Sequence, residues 1–524
     1  MGVPGRDAVT ASVAELVGML SLAADLGLGQ PMEHLTRSSL IAVRLAERMQ
    51  LTASDRETVY YLALLAWIGC TADSHESAER FGDDITLRAG MYDVEIGSPP
   101  MLRYLVRRAG THGSVLHRAR TVAGLVGTTG RTVQASLVAH CQVTGLLATR
   151  LGLGARLLHC LAQTFTRWDG RGTPAGVRGT DIDVATRVVH VADLAEVHHR
   201  RGGTAAALEV IRRRSGTALD PAVVAAFDRH GAAVLESLPV ESSWPELIAA
   251  DPAAQTLTGP ALDAGLEALA DFVDLKSPWF AGHSRGVADL AAAAAAHVGL
   301  PAAEVLVVRR AGLLHDLGRA GVPNTIWDKA AALTAVERER VELHAYYTDR
   351  MLRRVPTLGD AASIAALAYE RLDGSGYHRG LGAAALPATA RLLAAADCYH
   401  AMTEPRPHRD AHAPAAAAAE LRSQARAGRL EPAAVEAVLG CAGHRTRRAA
   451  GGPAGLTVRE VEVLVLLARA ASTRQIATRL GIAPKTAGNH IERIYLKIGA
   501  STRAAAALFA MQHGLLRSLE PLET

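Results

Sequence analysis

Two segments of this chain that lie far apart resemble each other, and this repeat limits the folds that the chain can adopt. RWDGRGTPAG, at Arg167–Gly176, aligns with RLDGSGYHRG, at Arg371–Gly380, at an offset of 204 residues. The same offset aligns Ala185–Asp193 with Thr389–Asp397 without gaps. Because a solenoid repeats every 20–50 residues or so, the period is far too long for one. The chain is therefore predicted to contain two related units.

The repeat extends further upstream, where the offset changes from 204 to 249 residues. His140 matches His344 at the offset of 204. At the offset of 249, His34 matches His283, and LLAWIG at Leu64–Gly69 matches LLHDLG at Leu313–Gly318. The change in offset means that the first copy carries about 45 additional residues between its two matched parts.

The composition and the spacing of apolar residues favour helices. Of the 524 residues, 49% are hydrophobic and only 4% are aromatic, so the apolar content is mainly Ala, Leu and Val. Segments such as Leu40–Met49 and Val305–Leu314 carry apolar residues at positions i, i+3 and i+4. An all-α fold is predicted, and a disordered chain is excluded.

No stretch of the sequence is suited to crossing a membrane or to leaving the cell. No apolar run approaches the ~20 residues that span a bilayer, and the first residues contain no hydrophobic signal core. The five cysteines show no CxxC spacing, which argues against a zinc knuckle or a disulfide framework. We expect a cytoplasmic protein without a membrane partner.

Two stretches have the composition of linkers. Residues 236–260 contain four prolines and no sustained period, and residues 444–455 are short, basic and rich in Gly and Ala. They divide the chain into predicted domains at 1–235, 261–443 and 456–524.

The second copy contains histidines and aspartates of the kind that bind metals. The candidate ligands are His283, His315, Asp316, His344 and Asp397. Adjacent helical residues point about 100° apart, so a neighbouring His and Asp reach one ion only near a bend. Imidazoles together with carboxylates suit Mn, Fe, Zn or Ni, and the carboxylates could bridge two ions.

This block, over about 270–440, resembles an HD-GYP domain of the HD phosphohydrolase superfamily. The resemblance is carried by GHS at Gly282–Ser284, HDLG followed by Val322–Pro323, ERLDGSGY at Glu370–Tyr377, LLAAAD at Leu392–Asp397 and AMTEPRPHR at Ala401–Arg409. It implies that His283, His315, Asp316 and Asp397 are the four basic metal ligands and that His344 binds a second metal.

The sequence departs from that family at several functional positions. Ala368 and Tyr369 replace the usual pair of histidines, and His378 replaces the Pro of the GYP signature. The catalytic Lys is Arg319, which keeps the charge but cannot donate a proton near neutral pH. These departures favour one metal over a full centre of two or three.

If the site is active, the resemblance implies hydrolysis of a phosphate ester. A metal would lower the pKa of water and neutralise charge on the phosphoryl group. Asp316 would orient or deprotonate that water, and Arg319 would supply positive charge. The alternative is that the cluster only ties helices together.

The first copy lacks the central pair of metal ligands. Ala66 and Trp67 replace the His-Asp pair, whereas His34, His140 and Asp193 remain. One interpretation is that these are satisfied polar residues in a helical core. The other is a ligand-sensing pocket that kept its shape and lost its metal.

The last part of the chain predicts a helix-turn-helix. Thr457 with Glu460 fits a capping box, a second helix follows Ser472 and ends near Gly481, and a third covers about Pro484–Ile498. The sequence resembles the LuxR-type output domain over its full length, in LTVREVEVL, QIATRL, PKTAGNHIERIYLKIG and AAALFAMQHGL. The whole chain is therefore predicted to be all-α, with two homologous HD-type domains followed by a four-helix LuxR-type domain.

The LuxR resemblance implies a DNA-contacting face. The implied DNA-binding residues are Arg474, Lys485, Thr486, Asn489, His490, Arg493 and Lys497. Arg474 and Lys497 would contact phosphates, which positions the protein without specifying a sequence. The last helix, around Ser501–His513, dimerises the domain in this family, so a homodimer on a roughly two-fold site is expected.

Charge is distributed in agreement with DNA binding. Residues 456–518 contain nine Arg or Lys and three Glu, a net charge of +6, whereas the whole chain carries +4. The basic excess therefore belongs to the predicted reader of double-stranded DNA.

Three functions remain open. The first is a transcriptional regulator whose HD-type domains bind a ligand, possibly a metal with a nucleotide, and control the DNA-binding domain. The second is a metal-dependent phosphodiesterase or phosphohydrolase, acting on cyclic di-GMP or another nucleotide, with a DNA-binding tail. The third is a scaffold with two inert HD copies.

Overall fold

The computed structural model describes residues 9–95, 98–111, 113–443 and 453–517, with only the backbone described for residues 126–135. Within these ranges the chain forms twenty-four α-helices and two short strands. The all-α prediction is thus confirmed. No helix in the described ranges is long and apolar enough to pass through a bilayer. The chain divides into two compact units, one spanning Ala11–Leu257 and the other extending from Thr258 onward.

The first unit is built mainly on helices that pack around α2, with α3 and α9 as its principal neighbours. Its helices are α1 (Val13–Gly27), α2 (His34–Arg48), α3 (Ala53–Leu65), α4 (Ser74–Phe81), α5 (Asp84–Ala89), α6 (Pro99–Arg108), α7 (Val115–Arg150), α8 (Ala155–Leu161), α9 (Val184–Arg213), α10 (Pro221–Glu236) and α11 (Trp244–Ala249). The strands β1 (Thr10–Ser12) and β2 (Thr256–Thr258) pair in a two-stranded sheet.

The segment 236–260, which the sequence predicts as a linker, contributes to the core of this unit. Trp244 and Leu247 of α11 are buried, and the hydroxyl of buried Tyr60 donates to the Leu247 carbonyl at 2.8 Å. Pro245 lies in the first turn of α11, where its missing N–H leaves no hydrogen bond unmade.

The second unit begins with an HD-type bundle in which α13 packs against α14, α18 and α20. Its helices are α12 (Gly259–Asp274), α13 (His283–His297), α14 (Ala302–Leu314), α15 (Asn324–Trp327), α16 (Ala335–Leu352), α17 (Gly359–Ala365), α18 (Ala388–Thr403), α19 (Pro414–Arg426) and α20 (Pro432–Ala442). Most of the predicted linker 444–455, namely residues 444–452, lies outside the described residues.

Four helices then form the C-terminal domain, α21 (Val458–Ala468), α22 (Thr473–Arg479), α23 (Pro484–Ile498) and α24 (Arg503–Gln512). The predicted third helix agrees with α23 at both ends. Thr457 and Glu460 form the predicted capping box at the start of α21, since each side chain accepts from the backbone N–H of the other.

The two copies share local geometry at matched positions. Glu33 and Gly282 each precede a helix in the left-handed region, with φ of 77° and 81°. Asp25 accepts the N–H of Leu35, and Asp274 accepts that of Ser284, both at 3.0 Å.

In each copy a glycine lies very close to the backbone of the helix that carries the matched histidine. A Cβ at Gly69 would overlap the carbonyl oxygen of His140, and a Cβ at Gly318 would overlap that of His344. Only glycine permits this contact, which positions the histidine helix against the segment of the His-Asp pair.

Candidate metal centre and nucleic-acid interface

The five predicted metal ligands come from four segments of the HD-type bundle. His283 is the first residue of α13, His344 lies on α16 and Asp397 lies on α18. Helix α14 ends at Leu314, and Asp316 has a non-helical backbone, with φ of −113° and ψ of 11°. His315 and Asp316 can therefore turn toward the same centre, because the chain bends between them. All five residues are at most 4% exposed.

The ligand atoms converge to within 3.6 Å of their nearest neighbours in the cluster. The shortest separations are 3.0 Å from His315 Nε2 to Asp316 Oδ2, 3.2 Å from His283 Nε2 to Asp397 Oδ1, 3.6 Å from His283 Nε2 to Asp316 Oδ2 and 3.6 Å from His315 Nε2 to Asp397 Oδ1. His344 approaches from the far side, with Nε2 3.5 Å from Asp316 Oδ1. His283, His315 and Asp397 have the spacing of a metal-binding group.

Hydrogen bonds behind two of the rings orient them toward the centre. His315 Nδ1 lies 2.7 Å from the Gly312 carbonyl, and His344 Nδ1 contacts the Val341 carbonyl. A carbonyl only accepts, so each Nδ1 carries a proton, and Nε2 is the nitrogen that can bind a metal once it is deprotonated. The Nε2 atoms of these rings and of His283 are buried, and each faces a carboxylate of the same cluster. A metal ion would satisfy them.

The site attracts positive charge. Burial tends to raise the pKa of Asp316, but the charges of Arg319 and His315 outweigh it and hold this pKa well below its ordinary value. Burial tends to lower the pKa of His315, whereas Asp316 and Asp397 raise it, with a net value of about 10. Two ionised carboxylates thus lie in a buried pocket, which a divalent cation would neutralise.

Glu404 supports His283 from behind, and sequence reasoning did not assign it a role. Its Oε2 lies 2.8 Å from His283 Nδ1, and its Oε1 lies 3.4 Å from His400 Nδ1. A carboxylate on the second nitrogen fixes the tautomer of a ligand histidine and raises its basicity. Glu404 directly follows the last residue of α18 and has an extended backbone, so the helical periodicity around Asp397 gave no signal for it.

The departures from the family pattern surround Asp316. Tyr369 donates its hydroxyl to Asp316 Oδ1 at 2.6 Å, and Arg319 Nη2 lies 2.6 Å from Asp316 Oδ2. The guanidinium of Arg319 also lies over the ring of Phe280, 4.2 Å from its centre. Ala368 is fully buried and offers no ligand atom. Tyr369 thus contacts the oxygen of Asp316 that faces His344, whereas Arg319 contacts the oxygen that also faces His283 and His315.

In the first copy the equivalent residues satisfy one another. His34 places Nδ1 2.6 Å from Glu196 and Nε2 3.1 Å from Asp193, and His140 donates Nε2–H to the Ala66 carbonyl at 2.6 Å. Glu196 takes the role that Glu404 has in the second copy. This geometry agrees with the interpretation as satisfied core residues for His34 and Asp193, whereas His140 Nδ1 has no partner among the described residues.

The predicted DNA-contacting side chains lie on the outer face of α22 and α23. The exposed residues are Arg474, Lys485, Thr486, Asn489, Arg493 and Lys497, whereas His490 is half-buried. The opposite face of α23 directs Ala487 and Ile494 into the domain. Lys497 is also bonded within the domain, to Glu460 at 2.7 Å and to the Gly455 carbonyl at 3.0 Å.

The last part of the C-terminal domain contacts the HD-type bundle. Helix α24 contacts α12, and a Cβ at Gly282 would lie 3.1 Å from the Cβ of Leu516. Arg469 donates to the Leu516 carbonyl at 3.1 Å and interacts electrostatically with Glu404. Leu508 and Met511, which the sequence predicts at a dimer contact, are buried within this chain.

Comparison with known proteins identifies two domains in this chain. The HD domain family matches residues 267–434, and the luxR family of bacterial regulatory proteins matches residues 454–510. A 3'3'-cGAMP-specific phosphodiesterase of Vibrio cholerae is 28% identical over 409 residues, which cover 77% of this chain and 88% of that protein. A cyclic di-GMP phosphodiesterase of Thermotoga maritima is 35% identical over 160 residues, or 30% of this chain and 43% of that protein.

The fold has a counterpart among solved structures. A crystal structure of a cyclic GMP-AMP specific phosphodiesterase from V. cholerae covers 82% of this chain and 98% of its own, with a TM-score of 0.59 and 24% identity. This likeness concerns the fold. The chain therefore contains an HD domain at residues 267–434, followed by a luxR-family regulatory domain at residues 454–510.

Proposed function

We propose that this protein is a transcriptional regulator whose HD domain binds one divalent metal ion and a nucleotide, and that this occupancy controls DNA binding by the luxR-family domain. The observation that carries the proposal is the convergence of three buried histidine Nε2 atoms on two ionised carboxylates. This set lies in the same compact unit as an exposed basic helix. Action on double-stranded DNA would place the protein in the cytoplasm, as a homodimer on a two-fold site.

His283, His315, Asp316 and Asp397 would hold the ion, and His344 would complete the set. The ligand atoms suit Mn, Fe, Zn or Ni, and when bound the metal supplies Lewis acidity toward a phosphate ester. One ion is favoured because the hydroxyl of Tyr369 bonds to Asp316 Oδ1, the carboxylate oxygen that lies nearest to His344 and that a second ion would share.

The nucleotide is proposed to be a cyclic dinucleotide. The relatives that match residues of this chain include phosphodiesterases for 3'3'-cGAMP and for cyclic di-GMP. Arg319, which is nearly buried beside the candidate metal centre, offers guanidinium N–H donors to a phosphate.

Contacts between the HD domain and the DNA-binding domain support the proposed control. Glu404 contacts His283 on one side and acts on Arg469 of the DNA-binding domain on the other. Leu516 packs at Gly282, directly before His283. A change in the position of His283 on metal or nucleotide binding would therefore reach residues that hold α24, the predicted dimerisation helix.

Metal analysis of the purified protein, combined with a double variant, tests the site. We expect about one equivalent of transition metal in the wild type and a loss of most of it in His315→Ala combined with Asp316→Ala. His297→Ala, which replaces an exposed histidine of the same domain, is the matched control. Full metal content in the double variant would refute the assigned ligands.

Control of the DNA-binding domain is tested with selected DNA. A binding site is first enriched from random duplexes, and its affinity is measured with Mn²⁺ and cyclic di-GMP or 3'3'-cGAMP, added singly and together. An affinity that changes when metal and nucleotide are present supports the proposal. An unchanged affinity under all conditions refutes the control.

A second candidate function is a metal-dependent phosphodiesterase. It is favoured by the buried Asp316, which is ionised and accepts a hydrogen bond from Tyr369, and by the activities named for the relatives. Asp316 would hold or accept a proton from water, and Arg319 would stabilise charge on the phosphoryl group. Incubation with Mn²⁺ or Fe²⁺ and a panel of cyclic and linear nucleotides should release a linear product; no turnover of any of them would exclude this function.

A further inference from the structure

The first unit contains a cavity of about 310 Å³ at the position that corresponds to the candidate metal centre of the second copy. Trp67, His140 and Asp193, which align with Asp316, His344 and Asp397, form one end of it. We infer that this cavity is a binding site for an organic anion with an apolar body, distinct from the metal and nucleotide proposed for the second copy.

The donor set of this end does not favour a metal. Ala66 supplies no ligand atom, and Trp67 supplies only an N–H donor. His34 and Asp193 contact each other at 3.1 Å, and Glu196 contacts the other nitrogen of His34. Both nitrogens of His34 are therefore used within the protein.

Another part of the cavity wall is apolar, and it is formed by residues of the additional segment of the first copy. Leu87, Met101, Leu105 and Leu125 form a buried cluster, and all four line the cavity. They lie between the two parts of the repeat, where the offset changes from 249 to 204. The additional segment therefore supplies an apolar wall that has no aligned counterpart in the second copy.

A cationic group without a carboxylate partner lies in the cavity wall. Arg88 pairs with Asp73 and Asp84, and Arg167 pairs with Glu95 and Asp169. Half-buried Arg214, in contrast, donates to the Tyr92 carbonyl at 3.2 Å; the charges of Glu95 and Asp93 act on it, but it forms no direct ion pair among the described residues. An anionic ligand group would provide the missing charge, through hydrogen bonds that a guanidinium makes in pairs.

Two buried polar atoms of the cavity wall would orient the ligand. Trp67 Nε1 and His140 Nδ1 both lack a hydrogen-bond partner among the described residues, and His140 is only 4% exposed. Because His140 donates Nε2–H to the Ala66 carbonyl, its Nδ1 is an acceptor, whereas Trp67 offers a donor. The ligand is therefore expected to combine an apolar body, an anionic group near Arg214 and a polar group near Trp67 and His140.

The charge requirement can be tested on the full chain with two fluorescent probes that differ mainly in charge. 8-Anilinonaphthalene-1-sulfonate has an aromatic body and a sulfonate, and N-phenyl-1-naphthylamine has the same body without the anion. In the presence of EDTA we expect the sulfonate probe to bind with one site per chain and more tightly than the neutral probe. Equal affinity for both probes would overturn the proposal.

Two variants locate the site. Arg214→Gln should weaken the sulfonate probe at least 10-fold, as expected for loss of a charge-assisted hydrogen bond, and should change the neutral probe less than 2-fold. Arg213→Gln, an exposed neighbour paired with Glu209, is the matched control and should change neither. An equal effect of both variants, with circular dichroism confirming the fold, would refute the assigned position. Met101→Trp should fill the apolar end and abolish binding of both probes; retained binding in this folded variant would also refute it.

Discussion

Both ring nitrogens of His283 contact carboxylates, so a substitution of Glu404, which lies behind the ring, should affect metal binding. Nε2 faces Asp397 and Asp316, while Nδ1 contacts Glu404. Glu404 is in turn accompanied by Arg406, 2.9 Å from the same carboxylate oxygen. Burial tends to raise the pKa of Glu404, but His400, His283 and Arg406 outweigh it and keep the carboxylate ionised.

Glu404→Gln should therefore weaken metal binding while leaving every predicted ligand in place. The amide loses the charge that makes His283 a better ligand, and changes of this kind cost about 10–100-fold in metal affinity. Competition with a chromophoric chelator would measure the difference. Glu436→Gln, on an exposed ion pair with Arg422, is the control and should leave metal affinity unchanged. Equal affinities for all three proteins would show that Glu404 does not support the centre.

His140 predicts a dependence of stability on pH. Burial lowers its pKa to about 4, from an ordinary 6.5, although the Ala66 carbonyl opposes this. Between these two values the unfolded chain binds a proton that the folded chain does not, so stability falls as the pH is lowered from 6.5 toward 4. His140→Gln should reduce the loss between pH 7 and pH 5 by about 2 kcal/mol.

Urea unfolding at the two pH values, followed by circular dichroism, measures this effect. His117→Gln, at an exposed position, should retain the pH dependence of the wild type. An identical pH dependence in His140→Gln and the wild type would contradict the shifted pKa of His140.

At the residue scale, the sequence predicted which ligands converge but not which residues orient them. His283, His315, Asp316 and Asp397 could be recognised from the family pattern, and the structure brings them together. Tyr369 was identified only as a lost ligand, whereas its hydroxyl bonds to Asp316. Such partners depend on side-chain conformations across 50 residues or more of sequence, which spacing along one helix does not reveal.

At the scale of helices, prediction succeeded where the signals are local. The bounds of α23 follow from Pro484 in its first turn and from Gly499, which ends it in the left-handed region with φ of 65°. The prolines of residues 236–260 suggested a linker, but Pro245 lies in the first turn of α11, where proline does not interrupt a helix. The burial of Trp244 there depends on tertiary contacts that composition does not encode.

The exposed face of α23 gives a prediction about base recognition. Asn489→Ala should lower affinity for a selected duplex by about 1–3 kcal/mol and relax its preference at one base position. Lys485→Ala should weaken binding to all duplexes alike and reduce the slope of log affinity against log salt by about 1. Fluorescence anisotropy at several salt concentrations distinguishes the two effects.

An exposed arginine of the HD domain provides the control for these measurements. Arg422 is paired with Glu436 and lies outside the basic domain, so Arg422→Ala should change neither the affinity nor the salt slope. Unchanged DNA binding in Asn489→Ala and Lys485→Ala would contradict the assignment of α23 as the recognition helix.

At the scale of the whole molecule, the contact of Leu516 with Gly282 would couple the proposed binding of metal and nucleotide to the proposed binding of DNA. If nucleotide and metal alter DNA affinity by some factor, then DNA must alter nucleotide affinity by the same factor, because coupling free energies are reciprocal. Leu516→Ala removes the side chain at this contact and should bring the factor close to 1. Titrations of nucleotide with and without DNA measure it.

Val240→Ala, at a side chain that is 98% exposed, is a control that should preserve the coupling. A factor in Leu516→Ala equal to that of the wild type would show that the coupling does not pass through this contact. Loss of DNA binding in Leu516→Ala at all nucleotide concentrations would indicate instead that Leu516 is needed for the DNA-binding domain itself.

The matched backbone of the two copies has a consequence for protein engineering. The first copy keeps the left-handed residue before α2, the glycine approach beside His140 and a carboxylate behind His34. At the positions of the five predicted metal ligands it differs from the second copy only in two adjacent side chains, Ala66 and Trp67. Ala66→His combined with Trp67→Asp would therefore be the shortest route to an artificial second metal centre, and nickel uptake by this variant would show that the backbone of the first copy can still hold an ion.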